Sequence, residues 1–188
     1  EWVKEAKNRG LSNLKDTPRA LQIWSKKEVQ DLFERMNVLS PREIEARQEI
    51  EFENYVYKVQ IESRVIGEMA QNFIIPAAIN YQNKLMTNVQ GLNIVLGGAN
   101  AKEATKGQIE IISKISRHLN EVKQLCDKML DARKKANKIE DIEKKAIAYC
   151  DDVKVYFDVI RRNVDKLELL IDDEEWRLPK FREMLFTR

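Results

Sequence analysis

The sequence predicts an all-α fold: a long-helix antiparallel bundle of three long helices, the first kinked at Pro76, with short N-terminal helices before it and a C-terminal helical tail after it. Three observations predict it. Among 188 residues there are only 6 Gly and 4 Pro, too few for a many-turned sheet. Apolar residues recur at spacings of three and four over long stretches, which is the period of a helix buried along one side. Helix-start signals, in which a Ser, Thr or Asn is followed by an acid or a proline, recur along the chain.

Residues 1–40 read as short helices and a connector. Thr17-Pro18 opens one short turn, and Ser25 to Glu28 has the spacing of a capping box, with Trp24 and Val29 as its hydrophobic staple. Ser40 to Glu43 repeats the box, with Leu39 and Ile44 as the staple and Pro41 at the first helical position, where its missing N–H costs nothing.

Residues 41–172 read as the three-long-helix bundle. From Pro41 to about Val95 the stripe Tyr55, Val59, Ile66, Met69, Phe73, Ala77, Tyr81, Leu85, Val89 and Leu92 marks one helix. Pro76 removes a hydrogen bond and crowds the carbonyl of Asn72, so a kink is expected there rather than an end. Gly67 is unfavourable inside a helix, which predicts a close approach by another backbone. Gly97-Gly98, followed by Asn100, stops the helix and turns the chain.

The second helix, about Ala101 to Lys135, carries Ile109, Ile112, Ser116, Leu119, Val122, Cys126, Met129 and Arg133 on one seam. The third, about Lys138 to Asp172, carries Ile142, Ala146, Tyr149, Val153, Tyr156, Ile160, Asn163, Leu167 and Leu170. Alternating steps of three and four give the narrow seam of an antiparallel coiled-coil hairpin, with polar Asn163 as a register device. Cap-and-acid pairs at Asn100 to Glu103 and Asn137 to Glu140 mark the two starts. The short loop near Ala136 to Lys138 places Cys126 and Cys150 in the same layer, where both read as small apolar residues, with a redox pair as the alternative.

Residues 173–188 form an apolar tail in which Trp176, Phe181, Met184, Leu185 and Phe186 are candidate interface residues. Such a segment either folds back onto its own bundle or docks on a neighbouring subunit.

Most chemistry is excluded by residue supply. His118 is the single histidine, and Ile115 stands where a Glu-x-x-His di-iron motif needs its acid, so His118 reads as a surface or edge residue. One His and two Cys cannot build a structural zinc site. Gly91 to Gly98 lacks the Lys-Ser/Thr of a phosphate-binding loop. Asp172, Asp173, Glu174 and Glu175 read as a solvated helix end, with a weak cation site as the alternative. No catalytic, cofactor-binding or metal-ligating residue is assigned. With 33 Lys+Arg against 31 Asp+Glu and no basic stretch, nucleic acid is not an expected partner. The longest apolar run, Phe73 to Ile79, is too short to span a membrane, and two isolated cysteines indicate a reducing, cytoplasmic location. A chain beginning at Glu1 without Met is expected to be a segment of something longer.

Four stretches carry more than periodicity. Leu39 to Gln60, Ile74 to Gly91, Ala132 to Cys150 and Asp165 to Phe186 closely resemble the C-terminal region of type III glutamine synthetases. The most specific strings are Pro76-Ala77-Ala78-Ile79-Asn80-Tyr81-Gln82 and Leu178-Pro179-Lys180-Phe181-Arg182-Glu183. The opening residues, Glu1 to Lys15, resemble the stretch that follows the catalytic domain, so the resemblance covers essentially the whole chain and makes residues 1–40 a connector from a catalytic domain absent here.

That resemblance implies a parent enzyme that joins ammonia to glutamate with ATP and divalent metal ions such as Mg, through a γ-glutamyl phosphate. The family's metal, nucleotide and substrate residues belong to its upstream catalytic region, and none of those motifs is matched here. The implied partners are the chain's own catalytic domain and neighbouring subunits of a homo-oligomer with double rings. The resulting expectation is a non-catalytic domain that supports subunit or ring assembly. The alternative is a free-standing cytosolic helical-bundle adaptor for partner proteins. A third, weaker possibility is that the Gly97 to Asn100 turn or the Asp172 to Glu175 cluster reaches an active site.

Overall fold

The computed structural model describes residues 1–186 and is a helical bundle, with no strand among them. Short helices α1 (Trp2–Asn8), α2 (Thr17–Leu21) and α3 (Lys27–Arg35) precede α4 (Pro41–Met69), a π turn (Ala70–Ile74) and α5 (Ile75–Leu96). Then come α6 (Gly98–Asn137), α7 (Ile142–Ala148), a second π turn (Tyr149–Val153), α8 (Val155–Leu170) and the single-turn α9 (Phe181–Met184). By compactness the chain divides into two units, one of residues 1–62 and 132–154, the other of 63–131 and 155–188. Each unit joins stretches distant in sequence because helical hairpins bring them together.

In the first unit, the start of α4 follows the sequence. Ser40 and Glu43 close their capping box, with the Ser40 N–H donating to Glu43 Oε2 at 2.8 Å. The Ser25 box does not form. Ser25 instead ends a 3-10 turn and donates to Gln48 Oε1 at 2.8 Å, while Gln48 donates to the Leu21 carbonyl at 2.9 Å. Trp24 stacks on Phe33, with ring centroids 6.0 Å apart, instead of stapling to Val29. Asp16, not Thr17, caps α2, and Pro18 sits fully buried just inside it. Arg19 then forks onto Asp151 at 2.7 and 3.1 Å and onto Asp16 at 2.8 Å. These contacts hold the short helices over a core of Ile44, Phe52, Tyr55, Val56, Ala146, Tyr149 and Val153.

The start of the third helical run is also corrected. Asn137 ends α6, and its Oδ1 accepts the Tyr149 hydroxyl at 2.6 Å. Asp141 caps α7 by accepting the Lys144 N–H at 2.9 Å. In the π turn that follows, the Lys154 N–H bonds to the Tyr149 carbonyl five residues back. Both cysteines are free: Cys150 belongs to this unit and Cys126 is buried in the other.

In the second unit the Pro76 interruption takes a definite form. The Ile75 N–H bonds to the Ala70 carbonyl, five residues back, so the turn containing Asn72 is widened. A wider turn gives the proline ring room at the carbonyl it otherwise strikes. Ile74 faces inward and Phe73, assigned to the stripe from sequence, is 38% exposed. Beyond Pro76 the stripe resumes through the buried Ala77 and Ala78. Gly97 turns the chain with φ 61°, and α6 begins at once, which puts Asn100 inside the helix rather than at its cap.

Helices α5 and α6 run antiparallel. Gln82 donates to Ser116 Oγ at 2.7 Å, and Asn88, further along, donates to Gln108, nearer the start of α6, at 2.9 Å. On α6 the inward positions are Ala101, Thr105, Ile115, Val122, Cys126 and Met129, whereas Ile109 is 48% exposed. Thr105 passes as core because its hydroxyl donates to the Ala101 carbonyl at 2.8 Å. Burial pushes the Cys126 thiol above its ordinary value, which suits a packing group rather than a nucleophile.

His118 is buried, not at the surface or an edge. Its Nδ1 lies 2.9 Å from Asn163 Oδ1, so Nδ1 carries the proton and donates, while the Asn163 amide donates to the Val159 carbonyl at 3.0 Å. The seam residue Asn163 thus has a specific partner on α6, which fixes the α6 to α8 register in this unit. All of the third-run seam residues, Ile142 through Leu170, are buried or half-buried.

An added Cβ at Gly67 meets nothing within 4 Å, so no neighbouring backbone demands a glycine there. Gly67→Ala is expected to stabilise the protein by about 0.4–1 kcal/mol, raising the urea midpoint at unchanged slope. His118→Leu, which leaves Asn163 Oδ1 without its donor, is expected to cost about 1–3 kcal/mol. Adding Asn163→Leu should recover most of that loss in a double-mutant cycle.

Candidate functional site

The C-terminal segment of the second unit gathers an apolar-walled cavity and most of the sequence-designated interface residues. Helix α8 ends at Leu170, and a turn follows in which the Glu175 and Trp176 N–H groups both bond to the Asp172 carbonyl at 3.1 Å. Asp172 also accepts the Glu174 N–H through Oδ1 at 3.3 Å. The acidic cluster is therefore structured by its own backbone, not merely a solvated helix end.

Cations pair with two acids of the cluster, Glu175 and Asp173. Glu175 pairs with Lys84 at 2.6 Å, and that hydrogen bond raises the Lys84 ammonium above its ordinary value. Asp173 pairs with both Lys180 and Arg182. Lys180 is the centre of this clasp, because its side chain is only 12% exposed and its Nζ also donates to the Glu168 and Ile171 carbonyls at 3.1 and 3.3 Å. A cation here satisfies carbonyls that α8 leaves open at its C-terminus. Hydrogen bonds from Lys180, then Arg182, hold the Asp173 carboxyl below its ordinary value.

The same unit holds a cavity of about 490 Å³, walled by Ile66, Met69, Ile74, Phe157, Trp176 and Met184, with the Arg161–Asp165 pair (2.6 Å) at its lining. Trp176 is 7% exposed and anchors the segment to its own unit. Met184, Leu185 and Phe186 are 53, 71 and 82% exposed, and the N–H groups of the last two bond back to Arg182 and Glu183 at 3.3 Å. The side chain of Phe181 lies outside the described residues. The tail thus splits in two, with Trp176 folded inward and the end held outward.

Among the described residues, no three His, Cys, Asp or Glu side chains come together in a way that could hold a metal ion. No described helix is long and apolar enough to cross a membrane. The arrangement offers a firmly held apolar surface. Sequence reasoning missed Lys180 and Lys84 and saw Asp173 only as part of a solvated acidic cluster, because the partners lie on other elements or beyond a turn and leave no periodic signal.

Residues 1–93 match the family described as glutamine synthetase C-terminal domain. A glutamine synthetase of Bacteroides fragilis is 39% identical over the whole chain, and a type-3 glutamine synthetase of Dictyostelium discoideum is 30% identical over the whole chain. A glutamine synthetase of Butyrivibrio fibrisolvens is 29% identical, again across the whole chain. The chain spans about a quarter (26%) of the length of each of these curated relatives.

The clasp has a pH signature. Because the folded Asp173 pKa is depressed below 3.8, its stabilisation is present above that pH and is lost as pH falls through the lower folded value. Hydrogen exchange of residues 172–186 is expected to quicken as pH, corrected for intrinsic rates, drops through that window. Asp173→Asn should show the faster exchange already at pH 7 and lose the pH response.

Proposed function

The chain belongs to the glutamine synthetase C-terminal domain family, and from that membership we propose that it is a non-catalytic helical module supporting subunit or ring assembly in a type III glutamine synthetase. The observation that carries this reading is the tail, where a buried Trp176 and a Lys180-centred clasp hold three large apolar side chains, Met184, Leu185 and Phe186, exposed to a partner. Ordering such residues outward is unfavourable for an isolated chain and favourable at a contact. A stiff mount limits the entropy lost on docking.

The longer protein, on this reading, joins ammonia to glutamate with ATP through a γ-glutamyl phosphate. ATP and Mg are bound by residues outside this chain, and the partners are the enzyme's own catalytic domain and neighbouring subunits. A cytoplasmic location accompanies that chemistry. The near-balance of 33 basic and 31 acidic residues supports contact with like copies, which a large net charge opposes.

Leu185→Asp with Phe186→Asp, made in the longer protein, tests the reading without touching the clasp. Sedimentation velocity is expected to show smaller species at a given concentration, with the helical circular dichroism of the subunit retained. An assembly of unchanged size and concentration dependence contradicts the proposal.

A further inference from the structure

Helix α4 is apolar on two opposite faces. Its inward face carries Phe52, Tyr55, Val56 and Val59, all buried in the first compact unit. At about 100° per residue, Ile50, Asn54, Tyr57 and Ile61 lie within about 60° of one another on the far side. The three apolar members are 54, 58 and 61% exposed. Their steps of four, three and four are those of a coiled-coil seam, with Asn54 at one seam position. The core stripe of the same helix is already satisfied, so this second stripe is not needed for the fold of the unit.

We propose that this outer face of α4 packs against the same face of a second copy of the chain. Charge supports that occupant. Glu51, Glu53 and Lys58 flank the stripe, all exposed, and make no ion pair among the described residues. Two copies of the stripe laid antiparallel bring Lys58 beside the partner's Glu51, and laid parallel they bring it beside the partner's Glu53. Either direction makes the complementary pair twice. Opposed helix dipoles favour the antiparallel arrangement, which also sets Ile50 against the partner's Ile61 and Asn54 against the partner's Tyr57. A net charge of +2 leaves little repulsion between copies. Arg47 and Arg64 stand at the two ends of the stripe, so the contact is short and the association concentration-dependent. The inference deepens the assembly reading by naming the partner, and it uses a surface in the compact unit that lacks the tail.

Sedimentation equilibrium of the 188-residue chain tests it. A monomer–dimer equilibrium is expected, and Ile61→Glu should weaken it at least tenfold while circular dichroism stays unchanged. Lys58→Glu alone should weaken it several-fold, and adding Glu51→Lys should restore it; restoration by Glu53→Lys instead supports the second copy in the parallel direction. Leu185→Asp with Phe186→Asp should leave this dimer intact, which separates its fate from that of the tail. A chain that is monomeric throughout, or dimerises equally with Ile61→Glu, overturns the proposal, as does restoration by neither swap. Protection of Tyr57 from labelling only in the monomeric longer protein assigns the face to the remainder of that polypeptide and likewise overturns it.

Discussion

A proline inside a long helix, and the need to keep one stripe facing the core on both sides of it, constrains the second unit more than any other feature. Pro76 cannot donate a backbone hydrogen bond, and its ring competes for space with the carbonyl of Asn72. Ending the helix there leaves carbonyls open in a buried region. The Ala70–Ile74 π turn avoids both costs, because the i to i−5 bond from Ile75 to Ala70 relaxes the crowding and lets the helix continue. Ala70, Ile74, Ala77 and Ala78 consequently face the core in unbroken order, and Gln82 is delivered to Ser116.

Specificity comes from a small set of polar contacts set against apolar seams. Seams of Ile, Val, Leu and Ala tolerate sliding, since any apolar residue substitutes for its neighbour one step along. His118 with Asn163, Gln82 with Ser116, and Gln48 with Ser25 and Leu21 do not tolerate it, because a slip leaves a buried polar group without a partner. In the first unit the Arg19 fork on Asp16 and Asp151 does the same for the short helices. The side chains of Arg19 and Asp151 are 40 and 46% exposed, so the fork contributes geometry more than energy.

The chain's cysteines and its single histidine are placed for packing or internal pairing, and its acids near residue 173 are occupied by Lys84, Lys180 and Arg182. Against this inward satisfaction stand two sets of large apolar side chains that the fold leaves outward, at the C-terminal end and on the far face of α4. Such outward apolar side chains, set on a fold whose charged groups near residue 173 are paired, are what the assembly proposal rests on.

The sequence by itself determined the all-α class, the long helical runs, the Ser40 start, the Gly97 stop, the third-run seam from Ile142 to Leu170, and the family. These are legible because they depend on local rules: helical period, capping chemistry within four residues, and strings of residue identities. Tertiary structure decided the rest. Ser25 abandoned its local box because Gln48, distant in sequence, offered a partner, and the third run starts from Asp141 because Asn137 is engaged by Tyr149. His118 is buried because Asn163 supplies an acceptor, and Gly67 has open space where the sequence predicted a close approach. The clasp at Lys180 and the inward turn of Trp176 likewise rest on carbonyls and walls from other parts of the chain. Where a polar or aromatic group has a choice between a near partner and a far one, only the folded chain sets the distances that decide it.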